Sequence, residues 1–226
     1  YGGEIKTPNL DRLAENGIRY TQAYNTSKCW TTRISLLTGL YHHRSDRDFS
    51  NTSLLGEILK PAGYRTLWAG KHHANFNPHD RGFDHFSGFL GGAINFWNPG
   101  DRARPGEDAP AWGAVYTWAF DEKLLKPFLP PKGFFATDAF TDWSITWLEQ
   151  KEESADPFFL FLSYNAPHWP LHAHPEDIAK YEGTYDDGYE TIRKARYQRQ
   201  LEMGLFDRET VPLSDPEHES WSSLSK

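Results

Sequence analysis

The start of the chain combines a helical pattern of apolar residues with a strand-like one. A helix is predicted to begin after Thr7, with Pro8 at its first position and Leu10 on its apolar face, and to end at Gly17. The alternation of apolar and polar residues from Ile18 to Tyr24 predicts a strand directly after it. A strand that alternates with helices is the repeating unit of an α/β fold.

Two further helices and a second strand are predicted before residue 70. A helix capped by Thr31 or Thr32 is expected to stop at Gly39, because glycine adopts the left-handed conformation that ends a helix. Another helix is predicted over Leu54 to Lys60, and Tyr64 to Ala69 has the pattern of a strand. These elements again favour an α/β architecture.

The pattern changes between Asn75 and Phe135, where glycine, proline, asparagine and aromatic residues replace any clear period. We interpret this part, and residues 91–135 in particular, as an irregular insertion. Thr137 is predicted to cap a helix, and the apolar run from Pro157 to Leu162 predicts a strand covered on both faces. A charged helix follows over Gly188 to Met203. The fold class predicted from these patterns is α/β with a mostly parallel sheet.

Composition and charge exclude several classes of protein. The net charge of −7 argues against a nucleic-acid-binding surface. No run of apolar residues approaches the length of a membrane span, so no transmembrane segment is predicted. The single cysteine, Cys29, excludes an internal disulfide and a zinc site built on cysteine pairs.

Chemically competent side chains follow each of the three predicted strands. Cys29 comes after the first strand, Lys71 and His73 after the second, and His168 after the third. Because ligands of open α/β sheets bind beyond the carboxyl ends of the strands, these residues are expected to share one crevice. A helix predicted to start near Cys29 would also attract an oxyanion through its amide groups. The combination indicates a site for an anionic substrate.

Each of these residues also has a purely structural interpretation. A single cysteine is often a small buried apolar residue, and a lysine is often only solvated. Histidine spacing allows a zinc site, but no carboxylate or cysteine motif completes a tetrahedral set with the candidates, which are His72, His73, His168, His172 and His174.

Five ordered motifs resemble the N-terminal half of the type I sulfatases, and the resemblance runs from residue 1 to about residue 210. The family pattern includes Cys-x-Pro-x-Arg or Cys-x-Ala-x-Arg, a following Leu-Thr-Gly, and Gly-Lys-Trp-His. The matching segments here are Thr7–Ala14, Cys29 to Arg33 with Leu36–Gly39, Gly70–His73, Asp80–Asp84 and Ala166–Pro170. The order and spacing of all five make the match far more specific than any single motif.

The resemblance implies a role for each of five site residues. Cys29 would be oxidised to formylglycine, whose hydrate attacks the sulfur of a sulfate ester. Lys71 would hold a sulfate oxygen, and His73 would orient the hydrate and assist its collapse. His168 would stabilise or protonate the leaving side, and Arg33 would anchor the formylglycine loop.

The resemblance also implies an alkaline-phosphatase-like three-layer fold and a calcium ion that is bound in part by the modified Cys29. The other metal ligands of the family are an Asp-Asp pair that would precede residue 1 and an Asp-Asn pair that would follow residue 226. We therefore expect residues 1–226 to be the N-terminal portion of a sulfatase catalytic domain. Its fold would be incomplete at both ends, and it would be inactive alone.

Partners follow from the same resemblance: a sulfated small molecule or glycan as substrate, and a formylglycine-generating enzyme that modifies Cys29. The family is typically periplasmic or secreted.

Thr31 departs from the family pattern, which has Pro or Ala there. Two alternatives thus stay open: a non-catalytic pseudo-sulfatase that binds sulfated glycans, and a formylglycine-dependent phosphonate or phosphodiester hydrolase.

Overall fold

A five-stranded mixed sheet organises the middle of the chain. The computed structural model describes residues 1–45, 48–100, 114–150 and 156–224. The sheet has the order β4-β3-β2-β1-β5. Its strands are β1 (Arg65–Lys71), β2 (His85–Phe89), β3 (Trp118–Phe120), β4 (Lys123–Leu125) and β5 (Phe158–Ser163). β1 is parallel to both β2 and β5, whereas β3 and β4 extend the sheet in antiparallel fashion.

Six α-helices accompany the sheet among the described residues. They are α1 (Pro8–Glu15), α2 (Cys29–Thr38), α3 (Leu55–Leu59), α4 (Ala136–Glu149), α5 (Pro175–Ala179) and α6 (Tyr189–Glu202). Gly39 ends α2 in the left-handed conformation, as its position in the sequence predicts.

The chain divides into two compact units, which we call the sheet unit (residues 25–172) and the terminal unit (residues 1–24 and 173–226). Within the terminal unit, Arg196 of α6 forms an ion pair with Glu4 at 2.7 Å. Arg199 of the same helix donates a hydrogen bond to the carbonyl oxygen of Gly2. These contacts attach the first residues of the chain to α6.

Alternation along β1 gives the sheet unit a core on each face of the sheet. Leu67 and Ala69 belong to a cluster that includes Phe140 and Trp147 of α4. Trp68 belongs to the other cluster, which includes Ile34 and Leu37 of α2. Since successive side chains of a strand point to opposite faces, helices cover both sides and form three layers.

Several predicted elements are confirmed within a few residues. The predictions for α1, α3, β1, β5 and α6 agree with the observed bounds. α2 begins at Cys29, two residues before the earlier of the two predicted caps. The parallel prediction is confirmed for the three strands β1, β2 and β5, while the antiparallel β3 and β4 make the whole sheet mixed.

The predicted strand over Ile18 to Tyr24 is wrong. None of the described residues pairs with this segment in a sheet. The side chains of Ile18, Tyr20 and Tyr24 are 78%, 72% and 89% exposed. Its alternating pattern therefore has no apolar surface to pack against, and Cys29 follows an irregular segment rather than a strand.

The prediction that residues 75–135 are irregular is wrong where β2, β3 and β4 form, whereas the prediction that 91–135 is an insertion stays a prediction. Residues 101–113 of it lie outside the described part. β2 and β3 are rich in aromatic residues, and none of the three strands contains a β-branched residue, so no typical strand pattern appears in the sequence. Glycine is required where strands approach closely, since a Cβ on Gly88 would lie 1.9 Å from the carbonyl oxygen of Gly70.

Thr137 is not the cap of α4, which begins at Ala136 with Phe135 as the cap residue. The amide of Ala136 donates to the carbonyl oxygen of Phe96, and the Phe135 ring packs on those of Phe96 and Trp97. This tertiary packing sets the start of the helix two residues earlier than a cap at Thr137 would.

Candidate active site

Cys29 is the first residue of α2 and lies directly beside His73. Its Sγ is 3.2 Å from Nδ1 of His73, which is within hydrogen-bonding distance for sulfur. Cys29 is partly exposed and free of any disulfide. His73 itself has a φ of 71°, a left-handed conformation that is uncommon outside glycine. The left-handed backbone conformation of His73 thus occurs at the residue whose ring contacts the thiol.

Lys71, the last residue of β1, is buried to 3% exposure. Burial and the nearby charge of Arg33 lower the pKa of the Lys71 ammonium, whereas attraction and a hydrogen bond to Cys29 act in the opposite direction. Lys71 is therefore a buried lysine beside the thiol, where little water screens its interaction with an anion.

Arg33 fixes the backbone from which Lys71 projects. Its Nη1 donates to the carbonyl oxygen of Lys71 at 2.8 Å and also to Oγ of Ser163 at the end of β5. Oγ of Ser163 donates in turn to the same carbonyl at 2.8 Å. Burial lowers the pKa of Arg33 to about 10, which leaves it charged at neutral pH. The guanidinium thus joins α2, β1 and β5 behind the site.

His72 points away from this group and into the apolar core. It is only 1% exposed, and neither ring nitrogen has a hydrogen-bond partner among the described residues. The rings of Phe76 and Trp68 lie 4.3 Å and 4.7 Å from its ring centre. Burial, and secondarily the charge of Arg33, lowers the pKa of His72 to about 3. It is a neutral packing residue and not a metal ligand.

Thr31 supports the turn that precedes Cys29. Its Oγ1 lies 2.9 Å from the carbonyl oxygen of Lys28 and accepts a hydrogen bond from Oγ1 of Thr26 at 2.7 Å. Thr31 is buried, and Ser27 within this turn has a φ of 59°. The residue that departs from the family pattern thus supplies a hydroxyl that links the two sides of the turn.

His168 follows β5 in an exposed loop. Its Nδ1 lies 2.6 Å from the carbonyl oxygen of Trp169. In the described parts of the chain, no hydrogen bond or ring contact joins His168 to Cys29, Lys71 or His73. Cys29, Arg33, Lys71 and His73 are therefore linked by direct contacts, whereas the place of His168 in the same site stays a prediction.

The described residues do not provide a calcium site. Across residues 1–45, 48–100, 114–150 and 156–224, no group of three or more histidine, cysteine, aspartate or glutamate side chains could hold a metal ion. Calcium requires about six to eight oxygen ligands, which the described residues do not bring together.

Ser163 and Gly92 are functional positions that the sequence analysis missed. A Cβ on Gly92 would lie 2.6 Å from Nε2 of His73, so only glycine leaves room for the imidazole. Ser163 completes the hydrogen bonds behind Lys71. No local pattern distinguishes either residue, although Ser163 ends the apolar run that predicts β5.

The carboxyl end of β1 thus places a buried lysine and a histidine beside the cysteine that begins α2, with an arginine behind them. A sequence model of the family described as Sulfatase matches residues 1–209. The chain therefore belongs to the sulfatase family.

Curated relatives support this assignment. An uncharacterized sulfatase of Schizosaccharomyces pombe is 33% identical, with 100% of this chain and 45% of that protein covered. An arylsulfatase of Klebsiella aerogenes is 31% identical, with 100% of this chain and 51% of that protein covered. The chain thus spans about half the length of these curated relatives.

Solved structures show the same alkaline-phosphatase-like sulfatase fold. BT4656, in complex with its substrate D-glucosamine-2-N,6-O-disulfate, has a TM-score of 0.63 and 28% identity, and the match covers 82% of this chain and 34% of that one. Ps i-CgsB, in complex with k-i-k-neocarrahexaose, has a TM-score of 0.62 and 25% identity, and the match covers 86% and 46%. Within the described residues, no helix has the length and apolar character needed to cross a membrane.

Proposed function

We propose that the protein containing this chain is a sulfuric ester hydrolase whose nucleophile derives from Cys29. The observation that carries this proposal is the 3.2 Å contact between Cys29 and His73 beside the buried Lys71. A nucleophile position next to a proton acceptor and a desolvated cation is what displacement at an anionic sulfate group requires. Membership of the sulfatase family supports the same reaction.

Positive charge is the main contribution of this chain to the reaction. Sulfate esters carry a negative charge that repels a nucleophile, so cations must surround the reacting group. Lys71 would bind one sulfate oxygen, and its burial strengthens that interaction because water does not screen it. Arg33 would hold Lys71 in place through its backbone and add charge from behind.

Formylglycine made from Cys29 by a formylglycine-generating enzyme would supply an aldehyde hydrate as the attacking group. The hydrate oxygens would occupy the region that Sγ now occupies, within reach of Nδ1 of His73. His73 would orient the hydrate and hold a proton during the collapse that regenerates the aldehyde. His168 would move toward the leaving oxygen once substrate is bound and donate a proton to it.

The substrate class that we propose is a sulfated small molecule or glycan, in a periplasmic or secreted setting. The ligands named for BT4656 and Ps i-CgsB support a carbohydrate. We also propose that the activity belongs to the longer protein, with residues 1–226 as the N-terminal portion of its catalytic domain.

The test uses the full-length protein and two measurements. It should hydrolyse 4-nitrophenyl sulfate, and mass spectrometry should find formylglycine at position 29. Cys29→Ala should abolish turnover, while Lys28→Ala, at the neighbouring exposed position, should leave most of it.

Three outcomes would contradict the proposal. An unmodified Cys29 with tight binding of sulfated glycans and no turnover would favour the pseudo-sulfatase that the Thr31 departure allows. Faster turnover of a phosphodiester than of the sulfate ester would favour the phosphodiester hydrolase. Turnover that survives Cys29→Ala would place the nucleophile elsewhere.

A further inference from the structure

A cavity of about 290 Å³ lies beside His73 within the sheet unit. His73 lines this cavity, whereas Cys29 does not. His73 contacts Cys29 through Nδ1, and its Nε2 edge is the one that faces Gly92, another lining residue. The imidazole therefore lies between the nucleophile position and the cavity.

Two glycines give the cavity its shape. A Cβ on Gly91 would lie 2.0 Å from the ring of Tyr116, and a Cβ on Gly92 would lie 2.6 Å from the ring of His73. The rings of Tyr116 and His73 can thus lie directly against the backbone and leave open space between them. The volume is at the small end of the roughly 300–1,000 Å³ typical of ligand pockets, which suits a single ring.

The polar groups that line the cavity carry an uncompensated positive charge. Asn75, Tyr116 and Thr117 provide neutral polar groups, and Lys126 provides an ammonium just after β4. No aspartate or glutamate is among the lining residues, all of which are described. An amide, two hydroxyl groups and an aromatic face are typical of sugar binding, and the exposed ammonium of Lys126, which has no carboxylate beside it among the lining residues, attracts an anion.

We propose that this cavity binds the alcohol part of the sulfate ester, and that Lys126 selects a sugar alcohol carrying a second anionic group. This inference rests on the proposed function, because the ester must be cleaved at Cys29 for the cavity to hold its alcohol. The sulfate group would lie on the Cys29 side of His73 and the sugar on the Gly92 side. The second anion, a sulfate or a carboxylate, would pair with Lys126.

The experiment measures inhibition constants in the full-length protein, with 4-nitrophenyl sulfate turnover as the reporter. Two matched pairs of sugars are compared. N-acetylglucosamine 6-O-sulfate and D-glucosamine-2-N,6-O-disulfate differ in a second sulfate, whereas glucose 2-O-sulfate and glucuronic acid 2-O-sulfate differ in a carboxylate. The variants are Lys126→Gln and the control Lys123→Gln, an exposed lysine on the same hairpin that does not line the cavity.

In the wild type, the dianionic sugar of at least one pair should bind about tenfold more tightly than its monoanionic partner, as expected for one charge-assisted contact. Lys126→Gln should remove this preference and leave 4-nitrophenyl sulfate turnover within about twofold, because that substrate has no second anion. Lys123→Gln should keep the preference. The pair that responds identifies the second anion as sulfate or carboxylate.

Equal binding within both pairs, or a preference that survives Lys126→Gln, would overturn the inference while the proposed function stands. Absence of any 4-nitrophenyl sulfate turnover in the wild type would instead be a failure of the proposed function. The two failures are therefore distinguishable.

Discussion

Two neighbouring segments leave the sheet at the same edge but differ in how firmly their histidines are held. β1 and β5 are parallel partners, with Gly70 opposite Ser163, so His73 and His168 both follow strand ends. His73 contacts Cys29 and lies against Gly92. His168 lies in an exposed loop, where Nδ1 is close to the carbonyl oxygen of the next residue.

This comparison of His73 and His168 shows that a residue can lie at the right end of the sheet without having its side chain held in place. A strand end brings a residue to the site, but only packing fixes the direction of its side chain. Arg33, Ser163 and Gly92 fix the segment after β1 before any substrate binds. The backbone amide of His168 donates to the carbonyl oxygen of Asn165, but among the described residues its exposed ring contacts only the carbonyl oxygen of Trp169, so we expect substrate to complete the placement of the ring. The two histidines are therefore expected to respond differently to mutation.

The largest effect is expected for His73→Ala. The variant should lower kcat/KM by about 10²–10³, because a preorganised group next to the nucleophile is lost. The loss should be the same for an aryl sulfate and for the sulfate ester of an unactivated alcohol. His43→Ala, at an exposed histidine of the same unit, should leave kcat/KM unchanged. A loss of less than threefold in His73→Ala would remove His73 from the reaction.

His168→Ala should show an effect that depends on the leaving group. A proton donor contributes about 10² or more when the departing alcohol is a poor leaving group and little when it is already stable as an anion. We expect a loss of about 10² in kcat/KM with an unactivated alcohol ester and a change of less than about threefold with 4-nitrophenyl sulfate. Equal losses with both esters would refute the role of His168 on the leaving side.

Gly92→Ala tests whether the backbone holds His73 in place. The added Cβ would meet Nε2 at 2.6 Å, on the ring edge away from the Cys29 contact, and would force the imidazole out of its present position. Because a displacement of about 1 Å can cost up to 10², we expect kcat to fall by about 10- to 100-fold. Gly3→Ala is the matched control, because a Cβ there meets nothing within 4 Å; an unchanged kcat in Gly92→Ala would disprove the role.

Local signals and long-range packing explain which parts of the fold were predictable. Terminators such as Gly39 and the apolar run of β5 are local, and they predicted α2 and β5 correctly. The motif residues Cys29, Lys71 and His73 were identified by resemblance, and their roles stay predictions. β2 was missed because Gly88 is there to admit the backbone of β1, a contact that no local pattern encodes.

The role of His72 could not be predicted from the sequence either, because His72 lies between two site residues, Lys71 and His73. Only the fold shows that its ring enters an aromatic cluster while its neighbours face Cys29. Neighbouring positions on a strand end point in opposite directions, so adjacency in sequence does not imply a shared role.

The smallest effect is expected for His72→Phe, and it concerns stability rather than turnover. Burial lowers the pKa of His72 from 6.5 to about 3 in the folded state. As pH falls below 6.5, the unfolded chain takes up a proton that the folded chain does not, so stability declines between pH 6.5 and pH 3 and is unaffected above that window. The decline amounts to about 1.4 kcal/mol per pH unit, or about 2 kcal/mol at pH 5.

His72→Phe should abolish this part of the acid sensitivity, so that its Tm falls less than that of the wild type between pH 7.5 and pH 5. The exposed His43→Phe controls for the loss of a histidine. If the wild type and His72→Phe lose the same Tm over this interval, His72 is protonated or hydrogen-bonded in the folded protein, and the segment after β1 is less tightly packed than its rings indicate.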